Sequence, residues 1–202
     1  MEIGLFPLGL VLLPTEQVPL HIFEERYQEL IGECMEEDRE FGLVYADEDG
    51  LRDIGTRAAV TEVLDRFDDG RLNIVAEGRE RFRLVELTAG RTFQTGIVEE
   101  IADEPDDADP DDTEHALELY KRLVDLTGAE VEVPAEVTGQ PSFEIGSRFE
   151  LAPELKLELL EETSERRRLV RLCEILETIA DAVERQREVA ALAQKNGKAK
   201  PA

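Results

Sequence analysis

The chain of 202 residues contains no tryptophan and only two histidines and two cysteines. So little histidine and cysteine argues against a zinc site, because such a site needs several of these ligands at regular spacing. Cys34 and Cys173 lie far apart, each in a helical pattern. We therefore expect two buried free thiols, with no disulfide and no metal site.

Motifs of nucleotide binding and of common hydrolases are also missing. There is no glycine-rich phosphate loop and no dinucleotide fingerprint. Serine is scarce, and none lies in a nucleophile elbow. His21 alternates with apolar residues, which favours a structural strand histidine, although a hydrolase built around His21 stays open as a minor hypothesis. We expect no catalytic residue and no cofactor.

Long apolar runs are absent as well. None approaches the ~20 residues that a membrane-spanning helix needs. The start, Met1-Glu2, lacks a basic region, and Pro14 ends the first apolar run early, so a secretory signal is not predicted. These features predict a cytoplasmic protein that does not bind membranes.

Positive charge is scarce relative to negative charge. The chain has 48 Asp and Glu against 23 Lys and Arg, a net charge of -25. Such a surface repels phosphate backbones and anionic lipid, which argues against nucleic acid as a partner. Two arginine groups could still form a local basic patch that overrides the net charge: Arg79, Arg81 and Arg83, and Arg166, Arg167 and Arg168.

Prolines are concentrated at the start of the chain, at Pro7, Pro14 and Pro19. Central strands do not tolerate proline, so we expect these three at strand starts, edges or turns. Residues 3–6 and 18–23 are predicted strands. Residues 24–36 are a predicted helix, because four apolar side chains recur at helical spacing: Tyr27, Leu30, Ile31 and Cys34.

Short apolar segments separated by turn signals follow this helix. The predicted strands are 41–46, 54–67, 72–76, 82–87 and 92–101. The predicted turns lie at Asp69-Gly70, where glycine supplies the positive φ that the turn needs, and at Glu77-Gly78 and Ala89-Gly90. Strands at this spacing indicate a small antiparallel or mixed barrel over residues 1–102.

The rest of the chain reads as helical. Residues 103–112 are acidic, contain two prolines and are predicted to be a solvated linker. Residues 113–194 form a predicted helical part, with a helix over 113–127 stopped by Gly128, a helix capped by Ser142 and ending near 150, another over 153–161, and a long last helix from Ser164. The basic tail, 195–202, is predicted to be disordered.

The last helix carries an apolar seam with alternating spacings of three and four: Leu169, Leu172, Leu176, Ile179 and Val183. The seam suits packing inside the chain or pairing with a second copy, and additional apolar residues beside it favour internal packing. The oligomeric state stays open.

Three blocks of the first 100 residues resemble the N-terminal substrate-binding domain of Lon proteases. The first runs from Phe6-Pro7-Leu8 through Leu13-Pro14 and Val18-Pro19-Leu20 to Phe23-Glu24-Glu25-Arg26-Tyr27. The second is Ile54-Gly55-Thr56-Arg57-Ala58-Ala59-Val60. The third joins Asp69-Gly70-Arg71 to Val75-Ala76-Glu77-Gly78-Arg79-Glu80-Arg81. Their order and spacing agree with that family.

The resemblance implies an α+β fold: a PUA-like β pseudobarrel followed by a C-terminal α-helical bundle. It also implies a non-enzymatic module that binds unfolded or extended polypeptide, as an adaptor or regulator of proteolysis beside a protease or chaperone. The Lon ATPase and Ser-Lys protease modules have no counterpart in this sequence. The residues expected to contact polypeptide are Pro14, Pro19, Glu25 and Arg26. The alternative is a PUA-like protein that binds a small molecule or RNA.

Overall fold

A computed structural model describes residues 1–131, 133–134, 137 and 139–197, and side chains as far as residue 190. Along the chain, two strands are followed by one helix, then by four more strands and finally by four helices. The strands are β1 (Glu2–Leu8), β2 (Gln17–Ile22), β3 (Phe41–Asp47), β4 (Gly50–Arg66), β5 (Leu72–Thr88) and β6 (Thr95–Glu100). The helices are α1 (Glu25–Glu37), α2 (Pro110–Thr127), α3 (Pro141–Gly146), α4 (Pro153–Glu161) and α5 (Glu165–Gly197).

The sheet closes on itself. Its order is β2-β5-β4-β3-β1-β6, and β6 also pairs with β5, so five strands form a ring to which β2 is added at an edge. Only β1 and β3 run parallel; the other neighbours are antiparallel. The prediction of a small mixed barrel is confirmed at this level.

The turn predicted at Glu77-Gly78 does not exist, because β5 runs through it as one strand of 17 residues. The first half of β5 pairs with β2 and the second half with β6. Gly78 is needed for a close approach instead of a turn: a Cβ there would lie 2.1 Å from the Leu13 carbonyl oxygen. The turns at Gly70 and Gly90 are confirmed, with φ values of 91° and 117°.

The three early prolines lie where a missing N–H is tolerated. Pro7 is in β1 beyond the part that pairs with β6, and Pro19 is in the edge strand β2. Pro14 occupies a tight turn in which the Glu16 amide donates to the Leu13 carbonyl at 3.1 Å. Thr15, at the third position, has φ of 67°, the positive value that a type II turn requires there.

The helical predictions hold in most places. Helix α4 has the predicted bounds, and Gly128 ends α2 with φ of 69°. Helix α2 begins at Pro110 instead of residue 113, because Asp109 caps it by accepting from the Asp111 amide. Ser142 is not a cap: it lies inside α3, fully buried.

The apolar seam of α5 packs inside the chain. Leu169, Leu172 and Leu176 are fully buried in a cluster that also includes the apolar face of α2. The same cluster takes in Val11 and Leu13 from the loop between β1 and β2. The barrel and the helices therefore share one core, and a second core lies between the barrel and α1.

The segment predicted as a solvated linker is attached to both parts of the molecule. Asp103 forms ion pairs with the buried Arg81 and Arg168, and Asp106 accepts a hydrogen bond from Ser164 at 2.6 Å. These bonds correct the expectation of a freely solvated segment, although the division of the chain at 102 and 112 stays a prediction. Residues 195–197 of the predicted disordered tail belong to helix α5, which corrects the predicted boundary, and the rest of that tail lies outside the described residues. No helix in the described ranges is long and apolar enough to cross a membrane.

Candidate functional site

Three elements meet at one end of β2: the strand itself, the start of α1 and the turn between β4 and β5. The Gln28 side-chain amide donates to the Phe23 carbonyl at 3.0 Å. Its oxygen would lie 2.6 Å from a Cβ on Gly70, so the turn abuts the helix start. Gln28 thus joins the helix to both neighbours.

Three rings form a row on this surface, which we call the aromatic surface: His21, Phe23 and Phe67. The His21 ring stacks on Phe23 with centroids 5.9 Å apart and meets Phe67 edge-on at 6.2 Å. Phe23 is 61% exposed and Phe67 is 39% exposed. Large rings left this open to solvent in a contiguous group are typical of binding surfaces.

Hydrogen bonds hold the central ring in place. His21 Nδ1 lies 2.6 Å from the Asn73 side-chain oxygen, and the Asn73 amide nitrogen donates to Asp65 at 2.9 Å. These residues come from three adjacent strands, β2, β5 and β4. The ring is therefore held in a fixed position by three strands of the sheet.

Pro19, Glu25 and Arg26 lie exposed beside this surface, as a contact role requires. Pro14 is buried, because its turn is folded against β5 through the hydrogen bonds of Thr15 and Glu16 to Gly78. Pro14 therefore offers no open surface in this fold, and we leave it out of the candidate site. Its contribution is to the path of the loop.

Two arginines at this surface each contact both a ring and a carboxylate. Arg26 lies 4.5 Å from the Tyr27 ring centroid and forms a 2.7 Å ion pair with Glu24. Arg71 lies 5.0 Å from the Phe67 ring centroid and forms a 2.8 Å ion pair with Asp69. Its backbone and side-chain hydrogen bonds hold the pKa of Asp69 below the ordinary value.

Other carboxylates around the aromatic surface have no cation beside them. Within the part of the chain that the structure describes, no ion pair involves the acidic rim, which consists of Glu25, Asp65 and Asp68. All three are exposed. The rim gives the aromatic surface a negative potential.

The free edge of β2 is a poor place for strand addition. Gly78 in β5 forms main-chain hydrogen bonds with the residues just before β2. Along an antiparallel pair, residues that bond to the partner strand alternate with residues that do not, and in this register the Pro19 nitrogen points away from β5. A proline there removes the donor that an incoming strand would use. Side chains, more than main-chain pairing, are therefore available to a ligand.

The arginine groups that could have formed a basic patch are neutralised within the chain. Arg79, Arg81 and Arg83 pair with Glu77, Asp103 and Asp53. Arg166 and Arg167 pair with Asp106 and Glu162, and Arg168 is fully buried with Asp103 and Glu165. Neither group presents free positive charge to a phosphate.

The described residues contain no group of His, Cys, Asp and Glu side chains arranged to hold a metal ion. A groove of about 820 Å³ lies between α1 and the turn before β6. Arg39 and Arg57 in its lining pair with Glu37 and Glu40, and the Cys34 thiol also lines it, with a pKa that burial raises to about 11.

The comparisons with known proteins address the family. The family model of the ATP-dependent protease La (LON) substrate-binding domain matches residues 2–178. The chain belongs to the Lon substrate-binding domain family. This confirms the resemblance seen in the sequence.

Similar proteins extend the match. Lon protease 1 of Hydrogenovibrio crunogenus is 24% identical over 196 residues, which is 89% of this chain and 24% of that protein. Lon protease of Parabacteroides distasonis is 28% identical over 148 residues, 67% of this chain and 18% of that protein. The chain thus spans a quarter or less of the length of these curated relatives.

Solved structures agree with the fold. A Lon N-terminal domain protein from Xanthomonas campestris superposes with a TM-score of 0.68 at 25% identity, covering 85% of this chain and 96% of that one. The N-terminal domain of Mycobacterium avium complex Lon protease gives a TM-score of 0.67 at 18% identity, covering 88% and 98%. The α+β class, with a mixed sheet and helices, is that of the Lon N-terminal domain.

Sequence reasoning missed the aromatic surface. Phe23 lies within the first family block, His21 has the alternation of a strand residue, and Phe67 precedes the Asp-Asp-Gly turn. A phenylalanine directly before a polar turn was the available signal. The convergence of all three depends on pairing between β2 and β5, which the sequence does not show.

Proposed function

We propose that this chain is a non-enzymatic module that binds unfolded or extended polypeptide through the aromatic surface and the exposed residues beside it. The observation that carries the proposal is the 61% exposure of Phe23 in a fixed row of rings, in a domain of a substrate-binding family. Exposed rings supply apolar contact area at little conformational cost.

The role beyond binding is part of the same proposal. A polypeptide-binding module can act as an adaptor or regulator in proteolysis, with a protease or a chaperone as its partner, in the cytoplasm. We also infer that the closed sheet is a PUA-like pseudobarrel and that the helices form a bundle on it. The pairing of β5 with β6 supports the first inference, and the burial of the α5 seam against α2 supports the second.

The alternative, an RNA-binding or small-molecule-binding protein, has less support. All six arginines of the candidate basic groups are paired with carboxylates, so little free positive charge remains for a phosphate backbone. The hydrolase hypothesis has less support still, because the contacts of His21 with described residues are with an asparagine and two phenylalanine rings, none of them a nucleophile.

The test is binding without turnover. A disulfide-bonded protein is reduced, and its thiols are alkylated with iodoacetamide so that it cannot refold. The unfolded protein and its native form are both labelled, and their binding to this chain is measured by fluorescence anisotropy without ATP. We expect binding of the unfolded form alone, with the label still on full-length polypeptide after incubation. Absence of binding to a panel of unfolded polypeptides would refute the proposal, and cleavage fragments would refute its non-enzymatic part.

A further inference from the structure

We propose that the aromatic surface selects extended cationic segments, and that an arginine of the bound segment stacks on the open face of Phe23. This inference rests on the proposed function, since it names the chemistry of polypeptide that the surface prefers. Its basis is the combination of a free ring, an acidic rim and two arginines that already use the same arrangement nearby.

The chain itself shows how this surface holds a guanidinium. Arg71 stacks over Phe67 and pairs with Asp69, and Arg26 stacks over Tyr27 and pairs with Glu24. In both cases the guanidinium lies over a ring face and also pairs with a carboxylate. This arrangement combines cation–π attraction with a charge-assisted hydrogen bond.

Phe23 has the ring without the cation. His21 stacks on it from one side, and 61% of the residue is exposed. Among the described residues, the cation–π contacts involve Tyr27, Phe67, Phe93 and Phe143, and none involves Phe23. An arginine from another polypeptide can lie over the Phe23 ring in the same way that Arg71 lies over the Phe67 ring.

The rim decides the sign of the ligand charge. Glu25, Asp65 and Asp68 carry negative charge with no ion-pair partner in the described structure, within a chain of net charge -25. These carboxylates attract a cationic segment, accelerate its encounter and disfavour an acidic one. The same carboxylates disfavour a phosphate backbone at this surface.

The spacing of the rings decides the shape of the ligand. Their centroids lie 5.9 and 6.2 Å apart, close to the roughly 6.6 Å between alternate residues of an extended chain. Alternate side chains of an extended segment can therefore contact successive rings. Because Pro19 makes the β2 edge unsuitable for strand addition, recognition occurs through these side chains.

The experiment compares two short labelled peptides that differ only in charge. One alternates arginine with leucine, and the other alternates citrulline, the neutral analogue of arginine, with leucine. Affinities are measured by fluorescence anisotropy for the whole chain and for Phe23→Leu, Phe23→Tyr and Val85→Leu. Val85, 55% exposed on the half of β5 that pairs with β6, is the matched control.

We expect the arginine peptide to bind about threefold to tenfold more tightly than the citrulline peptide at low salt, with the difference shrinking at high salt. Phe23→Leu should reduce this preference by about twofold or more, while Phe23→Tyr and Val85→Leu keep it. Equal affinities of the two peptides, or a preference unaffected by Phe23→Leu, would overturn the proposal. Either result together with binding of unfolded polypeptide would leave the proposed function standing, whereas loss of all polypeptide binding would refute both.

Discussion

The guanidinium of Arg168 donates to both carboxylate oxygens of Asp103, at 3.0 and 2.7 Å. Arg81 pairs with the same carboxylate from the barrel side. Both arginines are buried, and both lie over the ring of Phe143, at 4.0 and 5.3 Å. This pair therefore connects α5 to β5 through one residue of the segment between the barrel and the helices.

Removing the Asp103 charge should destabilise the protein strongly. In Asp103→Asn, two buried guanidinium groups lose their shared carboxylate, and only Glu165 remains to compensate them. We expect the free energy of unfolding to fall by about 2–4 kcal/mol, measured by urea denaturation. The control Glu104→Gln removes an exposed partner of Arg167 and should cost less than about 0.5 kcal/mol. Similar free energies of unfolding for the two variants would contradict the role of Asp103 as the carboxylate that compensates both buried arginines.

The same residue predicts a pH dependence. Burial raises the pKa of Asp103, but the hydrogen bonds and charges of Arg168 and Arg81 outweigh it and hold the pKa below the ordinary value. The stabilisation is therefore complete above the unfolded-state pKa of about 4 and disappears as the pH falls through the lower folded-state pKa. The stability difference between wild type and Asp103→Asn should narrow below about pH 4. Urea denaturation of both proteins at a series of pH values measures this difference. A difference in the free energy of unfolding that stays constant with pH would argue against a contribution from the titration of Asp103.

Local chemistry explains which parts of the fold were predictable. Gly70, Gly128 and Pro153 mark their turn or helix end in any context, and the structure has each where the sequence indicated. The prediction of a turn at Gly78 was wrong because this glycine allows a close approach to Leu13, a residue 65 positions earlier. Residues 103–106 misled for a similar reason, since their partners Arg81 and Arg168 are distant in sequence and an acidic run looks solvated by itself.

The candidate site was predictable only in part. The exposure of Pro19, Glu25 and Arg26 followed from the prolines and the start of an amphipathic helix. The burial of Pro14 depends on how its turn packs against Gly78. Packing of this kind is a tertiary contact, which composition and periodicity do not encode.

Two glycines should respond to alanine in opposite directions. In Gly78→Ala the new Cβ would lie 2.1 Å from the Leu13 carbonyl oxygen, so backbone must move, and we expect a loss of about 2–3 kcal/mol. In Gly32→Ala the Cβ meets nothing within 4 Å on helix α1, so the free energy of unfolding should rise by about 0.5–1 kcal/mol. Denaturation of both variants supplies the comparison. A tolerated Gly78→Ala would show that the loop between β1 and β2 does not pack on β5 as described.

The two cysteines should report on unfolding. Burial raises the pKa of both Cys34 and Cys173 to about 11, with nearby carboxylates adding to the effect. At pH 8 only about one thiol in a thousand is then ionised in the native protein, and the thiolate is the reactive form. Iodoacetamide should therefore modify the native chain slowly and the urea-unfolded chain fast, with rates in intermediate urea following the unfolded fraction.

Cys34 lies in the core between α1 and the barrel, and Cys173 lies in the core shared by the helices and the barrel, so site-resolved mass spectrometry can follow each part separately. Equal rates at the two sites at every urea concentration would indicate that both cores unfold together. Rapid modification of either thiol without denaturant would contradict its burial.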